Sequence, residues 1–240
     1  MSDNLTTKEK FQEIVFDKKA GKKKVYSVGG RDNRNHAIKI QKIVEYLQLT
    51  SGQRVLEIGA GEGEHARKIL ENTKADYVGI DISQKTLDVA ETKVRHFEGR
   101  YLLKKDNANA LSFEDKSFDA VFCAATLHHM DEPFKMISEM ARVLKPGGRL
   151  AIMEPNWIYP TNIAFSFLLK EDRNMRVMKA RNFRNWLSAA GIKNIEVINL
   201  LYTPPVPKAF VPFYDVIDSI CSRLPLLRGC SLMLFGGGIK

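Results

Sequence analysis

Between Val55 and Gly63 the chain reads Val-Leu-Glu-Ile-Gly-Ala-Gly-Glu-Gly, an apolar run that breaks into glycine at every second position. Such a loop fits where a buried parallel strand stops and a helix starts, with a nucleotide-like ligand pressed against bare backbone. The next apolar run, Tyr77-Val78-Gly79-Ile80, ends in Asp81. A carboxylate at that strand end lies beside the first loop, where a ribose diol can donate two hydrogen bonds to it. Together the two features predict an adenosine-containing cofactor. Dinucleotide enzymes space their glycines Gly-x-Gly-x-x-Gly. Counting from Gly59, the third glycine of that fingerprint is replaced by Glu64, and the spacing is instead Glu-x-Gly-x-Gly-x-Gly. A nicotinamide-dependent oxidoreductase is thereby disfavoured.

Apolar periodicity alternates between strand and helix through the middle of the chain. Strands are predicted at 54–58, 77–80, 101–103, 118–123 and 149–153. Helices are predicted over 36–47, after the glycine loop, from a Ser83 cap through Val94, and from Asp131-Glu132-Pro133 through Leu144. Lys145-Pro146-Gly147-Gly148 is expected to separate that last helix from the fifth strand. This alternation specifies an α/β fold, an open and mostly parallel doubly wound sheet with helices on both faces. Residues 1–35 are expected to be a basic, helix-poor, partly mobile lead-in with a bend at Gly29-Gly30, and 36–240 the folded domain.

With these motifs the chain resembles the class I S-adenosylmethionine-dependent methyltransferases, over roughly residues 36 to 156 and more loosely beyond. The resemblance implies a seven-stranded Rossmann-like sheet in the order 3-2-1-4-5-7-6 with the seventh strand antiparallel, the last pieces being a helix at 183–190 and strands at 195–200 and 232–235. It implies S-adenosyl-L-methionine as cofactor. Glu57, Gly59, Ala60, Gly61 and Gly63 would lie along its methionine part, and Asp81 with Ile82 at its ribose. Asp106 with Asn107 would meet adenine, and Ala124 would place backbone beside the cofactor. Asp106 could equally open a turn, and Glu57 could cap or pair locally.

Thr126-Leu127-His128-His129-Met130 follows the central strand, where reacting groups belong. His128 or His129 is a candidate general base for an acceptor that must lose a proton; a structural role under the following helix is the competing reading. Glu154 could join the same cleft or pair with a basic flank. Two stretches, 157–178 and 202–229, exceed the minimal fold and are aromatic-rich and apolar, so they are expected to be insertions that cover the active site and choose the acceptor.

Absences bound the function. No metal-ligand spacing is present, so no metal is expected. The base-methylating Asp/Asn-Pro-Pro-aromatic motif is replaced by Cys123-Ala124-Ala125-Thr126, and Cys123 lacks the following proline of pyrimidine-carbon methylases. Specific nucleic-acid binding is therefore not expected. Three cysteines in 240 residues fit a reducing compartment. With no apolar signal core and no membrane-length apolar run, the expectation is a cytoplasmic protein. The net charge of +9 divides into +6 over 1–42, −3 over 43–156 and +6 over 157–240. Basic flanks around an acidic core favour an anionic acceptor or an anionic membrane surface touched peripherally, or are merely solubilising. The function expected is methyl transfer to a small organic or lipid-like acceptor, anionic acceptors included. The alternative is a cofactor-binding regulator or scaffold without chemistry.

Overall fold

A computed structural model describes residues 5–22, 34–202, 211–224 and 227–240. Its centre is a seven-stranded sheet of β1 (Arg54–Ile58), β2 (Asp76–Asp81), β3 (Tyr101–Lys105), β4 (Phe118–Ala124), β5 (Leu144–Pro155), β6 (Lys193–Leu200) and β7 (Met233–Ile239). The order is β3-β2-β1-β4-β5-β7-β6. β1 through β5 run parallel and β7 runs antiparallel to both neighbours, as expected. β1 and β4 are buried on both faces because helices cover each side.

One layer comprises α2 (Arg34–Leu47), α3 (Glu64–Asn72) and α4 (Gln84–Val94); the other holds α5 (Pro133–Val143) and α7 (Ala180–Ala189). Ile43, Leu47, Ile69 and Phe122 pack in the first core and Leu56, Met136, Ile137 and Phe183 in the second. Each such buried side chain contributes about 2 kcal/mol from area removed from water. Crossovers of this kind bring every β–α loop to one edge of the sheet. The glycine loop, Asp81, Asp106 and His128 all lie there.

Three expectations about the elements are corrected. The lead-in is not helix-poor, for α1 spans Thr7–Lys19. Thr6 and Glu9 close a reciprocal capping box, the Thr6 amide donating to Glu9 at 2.7 Å and the Glu9 amide to Thr6 Oγ1 at 3.3 Å. Helical periodicity missed it because the buried residues of α1 are polar, Glu9 and Gln12. Second, β5 starts at Leu144 directly out of α5, and the ladder to β4 absorbs the irregular start with a register shift between Phe118 and Ala120. Third, β7 runs past the expected end at residue 235 and continues through Gly236-Gly237-Gly238. A β-carbon on Gly237 would lie 2.5 Å from the Tyr46 ring and one on Gly236 2.8 Å from Phe183, so the strand needs glycine where helices press onto it.

The insertions form α6 (Pro160–Leu168), a 3-10 segment over Lys170–Val177, and α8 (Val211–Arg223). Pro212 sits in the first turn of α8, where its missing N–H is tolerated. The expected bend at Gly29-Gly30 lies outside the described residues, as do Lys208 and Phe210. No described helix is long and apolar enough to cross a membrane.

Candidate active site

The glycine loop is tied inward. The amides of Gly59 and Ala60 both donate to Ile80 O at 2.8 Å, and that of Gly63 donates to Ala60 O at 3.1 Å. The Gly61 amide donates to Asp81 Oδ2 at 2.9 Å. All four N–H groups are committed within the protein, so they are not presented to a pyrophosphate. Gly59, Gly61 and Gly63 have φ of 75°, 54° and 76°, a region that favours glycine. A β-carbon on Gly59 would sit 2.1 Å from Thr126 Oγ1, whereas one on Gly61 would meet nothing nearer than Gly59 O at 3.9 Å. The loop packs on the β4 side at Gly59 and faces open space at Gly61.

Asp81 ends β2 as a partly buried carboxylate. Burial pushes its pKa up, against the amides of Ser83 and Gly61 that hold it down. The Ser83 amide reaches Asp81 Oδ1 at 3.0 Å. A carboxylate offers about four acceptor positions, so capacity remains for a diol. Beside it, the Asp106 amide donates to Asp81 O at 3.2 Å. The Asp106 carboxylate takes the amides of Asn107 at 2.9 Å and Ser112 at 3.1 Å and the Ser112 hydroxyl at 2.5 Å. It closes a turn, the competing role weighed from sequence. Ile82 leads from Asp81 into the Ser83 cap of α4.

Glu57 is completely buried. Its Oε1 lies 2.7 Å from His65 Nδ1, and its Oε2 accepts from the Tyr77 hydroxyl at 2.6 Å. Burial, then the Glu57 charge, raises the Tyr77 pKa well above its ordinary value. Glu57 thus braces the base of the loop, with both oxygens held by protein groups.

α1 straps this edge of the sheet. Its Asp17 accepts from Ser83 Oγ at 2.6 Å and Glu9 from Asn109 Nδ2 at 3.1 Å. Glu13 pairs with Lys105 and Lys8 with Asp131. Just past the helix, the Gly21 amide donates to Glu62 Oε1 at 3.1 Å.

Past Ala124, the last residue of β4, Ala125 adopts φ of 54°, a conformation costly for a side-chain-bearing residue and common at functional sites. The buried Glu154 carboxylate holds the turn through the amides of Thr126 at 2.8 Å and Leu127 at 2.7 Å, and meets His128 Nδ1 at 2.6 Å. His128 Nε2 lies 3.6 Å and His129 Nδ1 3.8 Å from Asp172 Oδ1. The His129 ring stands edge-on to Phe16 of α1, with centroids 5.1 Å apart. Burial alone would lower the His128 pKa; the carboxylates of Glu154 and Asp172 override it and raise it to about 9. The two carboxylates thereby favour the imidazolium form of His128, which weakens it as a proton acceptor near neutral pH. Of the two histidines considered as a base, His129 is the one the geometry leaves in contention. The candidate ligand atoms of His128, His129 and Asp172 fall within 4.8 Å of one another, a grouping that linear spacing could not show. A buried imidazolium between Glu154 and Asp172 offsets one of the two negative charges of this cluster.

The description "Methyltransferase domain" matches residues 56–152. Residues 56–152 thus carry a methyltransferase domain. It is 35% identical to methyltransferase GfsG of Streptomyces halstedii over 48% of this chain and 42% of that protein. It is 37% identical to a demethylmenaquinone methyltransferase of Tropheryma whipplei over 45% and 44%. Squalene methyltransferase 1 of Botryococcus braunii is 29% identical over 73% of this chain and 48% of its own length. The chain spans about half the length, or somewhat less, of these curated relatives. In fold it matches phosphoethanolamine N-methyltransferase 2 of Haemonchus contortus in complex with S-adenosyl-L-methionine, with TM-score 0.68 and 17% identity over 99% of this chain and 60% of that one. It also matches the [4+2]-cyclase SpnF, with TM-score 0.60 and 22% identity over 85% and 81%.

Sequence reasoning missed three parts of this methyltransferase domain's site. Asp172 enters from the first insertion, and nothing in its neighbourhood in sequence links it to the histidines. Gln12 and Glu9 enter from α1, for which Thr6-x-x-Glu9 was the available signal. A cavity of about 530 Å³ between α2 and α3, lined by His36, Ile40, Arg67 and Lys68 among others, includes none of the carboxylates or histidines of the cleft.

Proposed function

We propose that this protein transfers a methyl group from S-adenosylmethionine to a small organic acceptor. The observation that carries the reading is the pairing of a pyrophosphate-averse glycine loop with the partly buried Asp81 carboxylate. Asp81 would hold the ribose diol, Asp106 and Asn107 the adenine, and the open side of Gly61 the methionine portion, with Glu57 fixing the loop from beneath and the backbone of Ala124 alongside. The bound sulfonium supplies an electrophilic methyl group. Positioning and exclusion of water then provide most of the rate. Where the acceptor carries a proton, His129 takes it, oriented through Nδ1 by Asp172. The fixed positive charge of His128 orients that same carboxylate.

The finer reading is an amphipathic or anionic acceptor. It is supported by the cations Arg173, Arg176 and Arg228 on the insertions, and by the outward apolar side chains of α8. Phe213, Val216 and Ile220 are each more than half exposed, which also suits peripheral contact with a membrane surface. Calorimetric titration with S-adenosylmethionine and, separately, with NAD tests the cofactor. Binding of the first is expected, weakened by about 2 kcal/mol in Asp81→Ala as charge-assisted hydrogen bonds are lost. Binding of NAD alone, or unchanged affinity in folded Asp81→Ala, would refute the assignment. A radiolabelled-methyl screen of acceptors separates turnover from mere cofactor binding.

A further inference from the structure

Between α1, the start of α5 and the 3-10 segment of the first insertion lies a cavity of about 310 Å³, lined by Lys8, Phe11, Gln12, Asp131, Arg173 and Asn174. It adjoins the histidine turn, since Asn174 Nδ2 donates to Met130 O at 2.5 Å and Asp172 stands next to Arg173 in sequence. One lining side chain is anomalous. Gln12 is only 3% exposed, yet neither its Nε2 nor its Oε1 has a hydrogen-bond partner among the described residues. Leaving a buried amide unsatisfied is unfavourable in itself, and leucine or methionine would fill the same place on a helix without that penalty. A hydrogen-bond acceptor arriving from outside would satisfy the Nε2 end of this amide. The charges specify its sign. Asp131 is paired with Lys8, whereas Arg173 extends from an exposed position and presents a fork suited to a carboxylate or phosphate.

We infer that this cavity is the acceptor's anchoring site. It binds an anionic oxygen group, carboxylate or phosphate, through the Gln12 amide and the Arg173 guanidinium, and so sets the reacting end of the acceptor beside His129. The inference rests on the methyl-transfer reading for what the anchored molecule is, but binding of the anion is independent of catalysis. An acceptor held by α1 on one side and the insertion on the other also explains why a polar residue lies on the buried side of α1.

The test uses the full chain, with inorganic phosphate and acetate as probes. Two-dimensional NMR of side-chain amides follows Gln12 during each titration. A saturable shift of the Gln12 amide is expected with at least one probe, and the stronger of the two identifies phosphate or carboxylate as the natural anchor. Gln12→Leu should weaken that binding tenfold or more while raising the melting temperature of the unliganded protein, because an unsatisfied amide has been replaced by an apolar group of similar size. Arg173→Gln should weaken it comparably without changing stability. No saturable shift with either probe would overturn the inference, and so would a Gln12→Leu protein that melts lower than wild type, since the amide would then be partnered within the fold. Adenosylmethionine titration of the same samples keeps the two readings apart. Cofactor binding without anion binding refutes only the anchoring site, and anion binding without cofactor binding refutes only the transferase reading.

Discussion

The charge held on His128 ties the stability of the protein to pH, and the size and direction of the effect follow from the site. The imidazole is buried against Glu154 and faces Asp172, with the His129 ring tilted beside it at 3.9 Å between centroids. Burial opposes protonation, the two carboxylates outweigh it, and the pKa rises from 6.5 to about 9. A pKa raised on folding means that the folded state binds the proton more tightly than the unfolded chain does. Below the unfolded value of 6.5 both states are protonated and the contribution is fully present. It is lost as pH rises from there through about 9. At about 1.4 kcal/mol per pKa unit, the interval corresponds to roughly 3 kcal/mol. That is a large share of the roughly 5–15 kcal/mol by which domains are stable. Urea unfolding of wild type and His128→Gln at about pH 6, 8 and 10 isolates it, because other titrating groups cancel in the difference. The stability advantage of wild type over the variant should shrink by about 3 kcal/mol from the lowest to the highest pH. An NMR titration of the His128 ring provides the direct check and does not depend on the variant folding. A constant advantage, or a ring that titrates near 6.5, would show that the carboxylates do not hold the charge.

Gly61→Ala should cost about 1–2 kcal/mol of stability for a side chain at positive φ, and should weaken adenosylmethionine binding by at least about tenfold, because its β-carbon projects into the open face of the loop; normal affinity by calorimetry would move the ligand away from that face. Glu57→Gln removes a charged acceptor from the Tyr77 hydroxyl and the His65 ring, and thermal unfolding should report a loss of about 1–3 kcal/mol. Asp172→Asn should lower turnover while leaving cofactor affinity as it was, and should shift the pH profile of the reaction; equal turnover and an unmoved profile would remove the carboxylate from the acceptor side.

Local sequence determined the framework. Apolar runs at strand spacing, the glycine loop and Asp81 were enough to place the central parallel strands and the edge where a cofactor belongs, because each signal is complete within about ten residues. The position of Asp81 beside Gly61 was legible for the same reason, since a strand end and the adjacent loop meet in any sheet of this type. Other features required the tertiary structure. The extension of β7 through Gly236 and Gly237 depends on Phe183 and Tyr46, which press on those glycines from distant helices. α1 lacked an apolar stripe because the side it buries carries Glu9 and Gln12, polar groups turned toward the cleft. His128 and His129 were visible as a pair, but their division into a fixed imidazolium and a candidate base depends on Glu154, 26 residues from His128, and on Asp172 from an insertion. Electrostatic character is set by whatever converges within a few ångströms, and that convergence comes from chain segments with no shared local pattern.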